Sequence, residues 1–151
     1  MTHRGVEIPA RKRPADDNGY FEELTKAVFR AGFSWRVIHD KWPAFRAAFD
    51  GFDIEAVASY GEPDIDRLLS DSGIVRNGRK IEATIRNAGT MHAIISEHGS
   101  FFAYLRSLDQ LKYPQRRDTL CRRFSNVGPT TAFVFLYCVE EEVPAWDERH
   151  M

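Results

Sequence analysis

Residues 123–137 read RFSNVGPTTAFVFLY, and Gly128-Pro129 divides the string in two. After Pro129 comes an uncharged, apolar run to about Cys138. Proline suits the first position of a helix, where its missing N–H costs nothing, so the run reads as a helix that opens at Gly128-Pro129. Before the break, residues 114–124 read as another helix, carrying Arg116, Arg117, Arg122 and Arg123. The segment is therefore a helix, a tight turn and a helix. Glycine lets the backbone turn sharply and approach a partner closely. The free N–H groups of the new helix make an anion site, and the hydroxyls of Thr130 and Thr131 add donors. Residues 112–123 hold five cations against Asp118 alone, a net charge of +4. The string also fits an ordinary Gly-Pro turn with a helix cap; the basic helix beside it favours an anion.

Outward from this segment the pattern stays helical. Phe21, Leu24, Val28 and Ala31 fall at three- and four-residue spacing, with Asn18 as the expected cap and Gly32 as the stop. Ser34 is expected to cap a second helix with Trp35, Val37 and Ile38, and Pro43 to open a third through Phe49. Asp53 caps the next, with Ile54 and Val57 apolar. Pro63 stands early in a helix whose inner face is Ile65, Leu68 and Leu69. Residues 79–97 form the longest helix, with Ile81, Ile85, Ala88, Met91 and Ile95 as its core stripe and Gly99 as its end. Ser100 caps a short aromatic helix. No stretch alternates with period two over a useful length. The expected fold is all-α, with eight to ten mostly short helices.

The chain has 151 residues, 43% hydrophobic and 28% charged, with a net charge of −1. One compact domain over residues 18–151 follows, preceded by a flexible basic arm over residues 1–17 that contains Arg4, Arg11, Lys12 and Arg13. No apolar run approaches the ~18–20 residues a membrane span needs. The first twenty residues lack an apolar leader, so a cytoplasmic monomer is expected, with no membrane contact. The histidines, His3, His39, His92, His98 and His150, pair with neither each other nor a cysteine at zinc-ligand spacing. Cys121 and Cys138 stand 17 apart. No metal and no cofactor is expected.

Three further features bear on chemistry. The loop at Arg76-Asn77-Gly78-Arg79-Lys80 is cationic; Arg76 and Lys80 form either a second phosphate clamp or a solvated loop. Phe33 and Trp35 flank a tight turn, where aromatics either stack on an extruded base or fill core. Glu140-Glu141-Glu142 reads as a solvated helix end, away from any polyanion.

Together, FEELTKAVFRAGFSW (21–35), WPAFRAAFDGFD (42–53), DSGIVRNGRKIEATIRNA (71–88) and RFSNVGPTTAFVFLY (123–137) resemble the DNA-3-methyladenine glycosylase I family of the helix-hairpin-helix glycosylases. The resemblance implies an all-α glycosylase fold and removal of 3-methyladenine-type bases from double-stranded DNA by base flipping and hydrolysis, a base-excision repair activity. Trp35 matches the tryptophan that stacks on the base, Phe33 the apolar residue of the DNA-facing turn, and residues 127–131, with Val127, Gly128, Thr130 and Thr131, the phosphate-binding hairpin. Tyr20 and Ala27 complete the expected base pocket. Ala27 stands where the family has a base-recognising glutamate, and Glu23, one helical turn earlier, is the candidate replacement. The family's N-terminal and C-terminal zinc-ligand segments have no counterpart. The alternative is a non-catalytic DNA-binding relative that keeps the hairpin without the pocket.

Overall fold

A computed structural model describes residues 2–3, 6–7 and 10–151. Arg4 of the expected arm lies outside the described residues. Two short strands, β1 (Thr2–His3) and β2 (Val6–Glu7), pair antiparallel. Everything else that is regular is helical: α1 (Asp17–Arg30), α2 (Trp35–Ala48), α3 (Ile54–Ala58), α4 (Glu62–Leu69), α5 (Gly78–His98), α6 (Phe101–Ser107), α7 (Tyr113–Arg123) and α8 (Pro129–Cys138), with 3₁₀ turns at Asp50–Phe52 and Trp146–Glu148. The all-α expectation holds.

Helix α5 is the axis of the fold, packed by α1, α3, α4 and α6, while α8 lies between α1 and α7. Aromatic side chains dominate the core. Phe21, Phe29, Phe45, Phe49, Phe52, Phe101 and Phe135 are fully buried. Trp42 stacks on Phe45 at 4.8 Å and on Phe52 at 5.1 Å. Its indole N–H donates to Glu22 Oε2 at 2.8 Å, satisfying the one polar atom the ring brings inside. Asp50, Gly51 and Phe52 are all left-handed, at φ 53°, 65° and 62°. Such a conformation costs a non-glycine residue about 1–2 kcal/mol. Burial and stacking of Phe52 offset it.

Four sequence expectations are corrected. Asp16, not Asn18, caps α1, accepting from Gly19 N at 2.8 Å; Asn18 Oδ1 instead accepts from Ile54 N at 3.1 Å and ties α1 to α3. Pro43 opens no new helix but lies inside α2. Both Pro43 and His39, whose carbonyl loses its partner, are exposed, so water can satisfy that carbonyl. The stripe Ile38, Trp42, Phe45, Phe49 runs straight through the proline. Leu69 is exposed while Leu68 alone on α4 is buried. Glu141 is buried rather than solvated, paired to Arg106.

The described part of the arm is docked. Lys12 N donates to Cys138 O at 2.9 Å. Arg11 donates to Tyr137 O at 2.6 Å and Glu141 O at 2.7 Å, and Arg13 lies 4.5 Å over the Phe102 ring. Of these cations Arg11 serves the carbonyls at and just past the end of α8, Arg13 covers a ring of α6, and the Lys12 side chain stays exposed.

Candidate nucleic-acid interface and base site

The hairpin is built as its sequence demands. Asn126 takes φ 58°, which asparagine tolerates better than most residues. Gly128 is the N-cap of α8 and Pro129 its first residue. Ala132 N already bonds Gly128 O at 2.9 Å. The amides of Thr130 and Thr131 therefore remain as the free donors of the helix start, with no acceptor among the described residues. Val127 and the Thr131 side chain are buried and hold the hairpin down. Thr130 Oγ1 meets His150 Nε2 at 2.7 Å.

Two elements brace this hairpin. Asn87 of α5, buried, donates from Nδ2 to Ser125 O at 3.1 Å and accepts at Oδ1 from Ser125 N at 2.7 Å. Arg86 Nε donates to Ser125 Oγ at 3.1 Å. On the other side, buried Arg117 donates to Arg149 O at 3.2 Å and Met151 O at 2.7 Å. Trp146 meets Phe133 edge-on at 5.3 Å, and Arg149 lies 3.9 Å over Trp146. Arg117 is thus turned inward, whereas Arg122 and Arg123 stay exposed on α7.

The turn between α1 and α2 carries the aromatic pair. Phe33 N donates to Arg30 O at 3.0 Å, and Gly32 supplies φ 80°, as a type II turn requires at its third residue. Trp35 is half-buried against the core at the first position of α2. Phe33 is 41% exposed and Val37 42% exposed on either side of it. Few other large apolar side chains are so exposed among the described residues.

The remaining expected pocket residues sit deeper. Tyr20 is buried against Phe101 at 5.2 Å, its hydroxyl without a hydrogen-bond partner, and burial raises its pKa. Ala27 is buried. Glu23 is partly exposed and pairs with Lys26 at 3.3 Å. Arg76 is exposed and carries no ion pair among the described residues, as a phosphate contact needs.

Lys80 requires a correction. Only 9% exposed, its ammonium donates to Ala31 O at 2.5 Å and Phe29 O at 3.4 Å and lies 5.0 Å over the Phe33 ring. Burial lowers its pKa from the usual lysine value. A lysine spent on the carbonyls that end α1 is not free to hold a phosphate.

A cleft of about 680 Å³ opens elsewhere, lined by Arg106, Lys112, Tyr113, Arg116 and Glu140 among others. None of Tyr20, Ala27, Phe33 and Trp35 lines it.

The model of the methyladenine glycosylase family matches residues 11–121, from the docked arm to most of α7. The chain belongs to the methyladenine glycosylase family. DNA-3-methyladenine glycosylase 1 of Escherichia coli (strain K12) is 40% identical over 73 residues, which are 48% of this chain and 39% of that protein. The DNA-3-methyladenine glycosylase of Haemophilus influenzae is 34% identical over 73 residues, 48% of this chain and 40% of that protein. The match thus spans about two fifths of the length of either curated relative. The solved structure of 3-methyladenine DNA glycosylase I from Staphylococcus aureus, which addresses 3-methyladenine recognition, superposes with a TM-score of 0.77. It is 28% identical, with 89% of this chain and 87% of that one covered. A variant of 3-methyladenine DNA glycosylase I in complex with 3-methyladenine gives a TM-score of 0.76 at 28% identity, over 85% of this chain and 79% of that one.

Within this family member, no group of three or more His, Cys, Asp or Glu side chains stands where it could hold a metal, among the described residues. The C-terminal segment, where the resemblance places two zinc ligands, is instead anchored by Arg117 and by Trp146 on Phe133. Its His150 meets the Thr130 hydroxyl. These residues do not fit a zinc site. No helix of the described residues is long and apolar enough to cross a membrane.

Sequence reasoning missed Asn87, Arg86 and His150. A signal for Asn87 was present: Lys80, Thr84, Asn87, Met91 and Ile94 share three- and four-residue spacing, and all are buried. Polar members of an inner stripe call for partners on a neighbouring element.

Proposed function

We propose that this chain is a DNA glycosylase that flips 3-methyladenine-type alkylated bases out of double-stranded DNA and removes them by hydrolysis. The observation that carries this reading is the apolar turn, where exposed Phe33 and Val37 flank half-buried Trp35 beside a fold shared with 3-methyladenine glycosylases. An exposed phenyl ring suits the gap an extruded base leaves in the stack. Extrusion costs a few kcal/mol, least for a damaged base. The hairpin amides of Thr130 and Thr131 hold a backbone phosphate, with Arg76 and the exposed α7 arginines adding field. An adenine alkylated at N3 is a cation, and the indole of Trp35 attracts it by about 0.5–2 kcal/mol.

Hydrolysis then asks little of the protein. The glycosidic bond breaks and its electron pair leaves with the base, which departs neutral without being protonated, while water adds to the sugar carbon and sheds one proton to bulk solvent, which carries away the charge the alkylated base brought. Positive charge moves onto the sugar, and Glu23 is the proposed carboxylate to stabilise it. Among the described residues exposed large apolar side chains are few, which supports a monomer; the cytoplasm is the compartment this reading assigns it.

The test is incubation of purified protein with methylated duplex DNA, following free 3-methyladenine. Release above the uncatalysed rate is expected. Salt-dependent duplex binding with no release would replace this reading by that of a non-catalytic DNA-binding relative.

A further inference from the structure

Two buried polar side chains on α5 do their bonding outside that helix. Lys80 grips the end of α1 through Phe29 O and Ala31 O and lies over the Phe33 ring. Asn87 bonds both backbone polar groups of Ser125 at the hairpin. Neither makes an ion pair among the described residues. The two stand seven residues apart, two helical turns, so they share a face and lie about 10 Å apart along a stiff rod.

We propose that Lys80 and Asn87 are positioning residues that fix the distance between the base-holding turn at Gly32–Trp35 and the phosphate-holding hairpin at Ser125–Thr130. This rests on reading the chain as a DNA glycosylase. A flipping enzyme must grip a phosphate and receive the base of the same strand at once. The two grips come from segments far apart in sequence, and α5 touches both: it packs on α1 and bonds Ser125 through Asn87, beside the direct packing of α1 on α8. A misplacement of about 1 Å between such parts can cost roughly a hundred-fold in rate. Lys80 binds the end of α1 at two carbonyls and the turn at one ring. Asn87 binds the hairpin at two. Each replaces the water that would otherwise solvate a loop.

The test uses Lys80→Met and Asn87→Ala in the full chain, each read in two ways. The first is amide hydrogen exchange without DNA. Lys80→Met should lose protection at the Phe33 amide and keep it at Ser125; Asn87→Ala should do the reverse. The second is base release set against duplex affinity. Asn87→Ala should weaken duplex binding about ten-fold, the worth of a buried bond pair. Lys80→Met should leave binding within about three-fold while release at saturating duplex falls by roughly a hundred-fold. Where Asn87→Ala fails to fold, Asn87→Asp serves: it is isosteric, keeps the acceptor for Ser125 N, loses the donor and should fall between parent and alanine. Loss of protection throughout the molecule in both variants, with activity tracking the folded fraction, would overturn the proposal. If the parent releases no base, the glycosylase reading fails on that result alone, and the exchange pattern still decides whether the two side chains hold the two segments.

Discussion

Two single residues illustrate how differently a side chain's surroundings weight its loss. Trp35 is half-buried at the start of α2. A fully buried tryptophan replaced by alanine costs about 3–5 kcal/mol. Trp35→Ala should cost less than that, leave duplex affinity nearly unchanged and cut base release at least ten-fold, about the upper range of a cation–π contact. Thermal unfolding measured beside the release assay decides it; activity that falls only with the folded fraction makes Trp35 a core residue. Glu140 is the opposite case. It ends α8 at φ 65°, with Glu141 N donating to Leu136 O at 2.9 Å in the closing turn. Glycine takes this conformation freely. Glu140→Gly should therefore stabilise the fold by about 0.5–1 kcal/mol, somewhat less than the full left-handed cost because Arg13 N loses its 3.3 Å bond to the carboxylate. The denaturant midpoint reads the gain.

At the scale of elements, the hairpin gives the cleanest test because its glycine is not needed for packing. A Cβ at Gly128 would meet nothing within 4 Å, and φ is −91°. Gly128→Val should fold normally, at a cost of about 0.5–1 kcal/mol for the poorer cap. Its branched side chain would stand where a phosphate must approach, so duplex binding should weaken about ten-fold and its salt dependence should flatten. Duplex binding as tight as the parent's would remove the hairpin from the interface. This segment was legible because glycine, proline and a sharp change from cationic to apolar sequence coincide there. Helix α2 was misread for the converse reason. Pro43 signals a break, but the signal holds only where the freed carbonyl is buried, and sequence does not say that His39 faces water. Lys80 was misread because a cation beside Arg79 in a polar loop looks solvated. Its inward turn depends on where α1 ends in space, which no local pattern encodes.

The whole molecule is packed around aromatic side chains, and that has a consequence at high pH. Burial raises the pKa of Tyr20, Tyr104 and Tyr113, the last to about 12; burial and the Asp50 carboxylate raise Tyr60. Burial likewise raises the thiols of Cys121 and Cys138. Each group holds its proton more tightly folded than unfolded. Their contribution to stability is full below the unfolded values, near 9 for the thiols and 10 for the phenols, and is lost as pH climbs through the folded values. Lys80 works the other way, since its lowered pKa makes the folded state shed a proton first, but it stands alone against six groups. Stability should thus hold between about pH 7 and 9 and fall steadily from there toward pH 12. Tyr113 offers the control. Its hydroxyl is buried without a hydrogen-bond partner, so Tyr113→Phe removes a titrating proton without breaking a bond. At pH 7 the variant should match or slightly exceed the parent in denaturant midpoint. At pH 11 it should lose less, by about 1 kcal/mol for a phenol whose folded and unfolded values differ by that window. Equal losses in parent and variant between pH 9 and 11 would mean that the Tyr113 phenol ionises in the folded protein as it does in water.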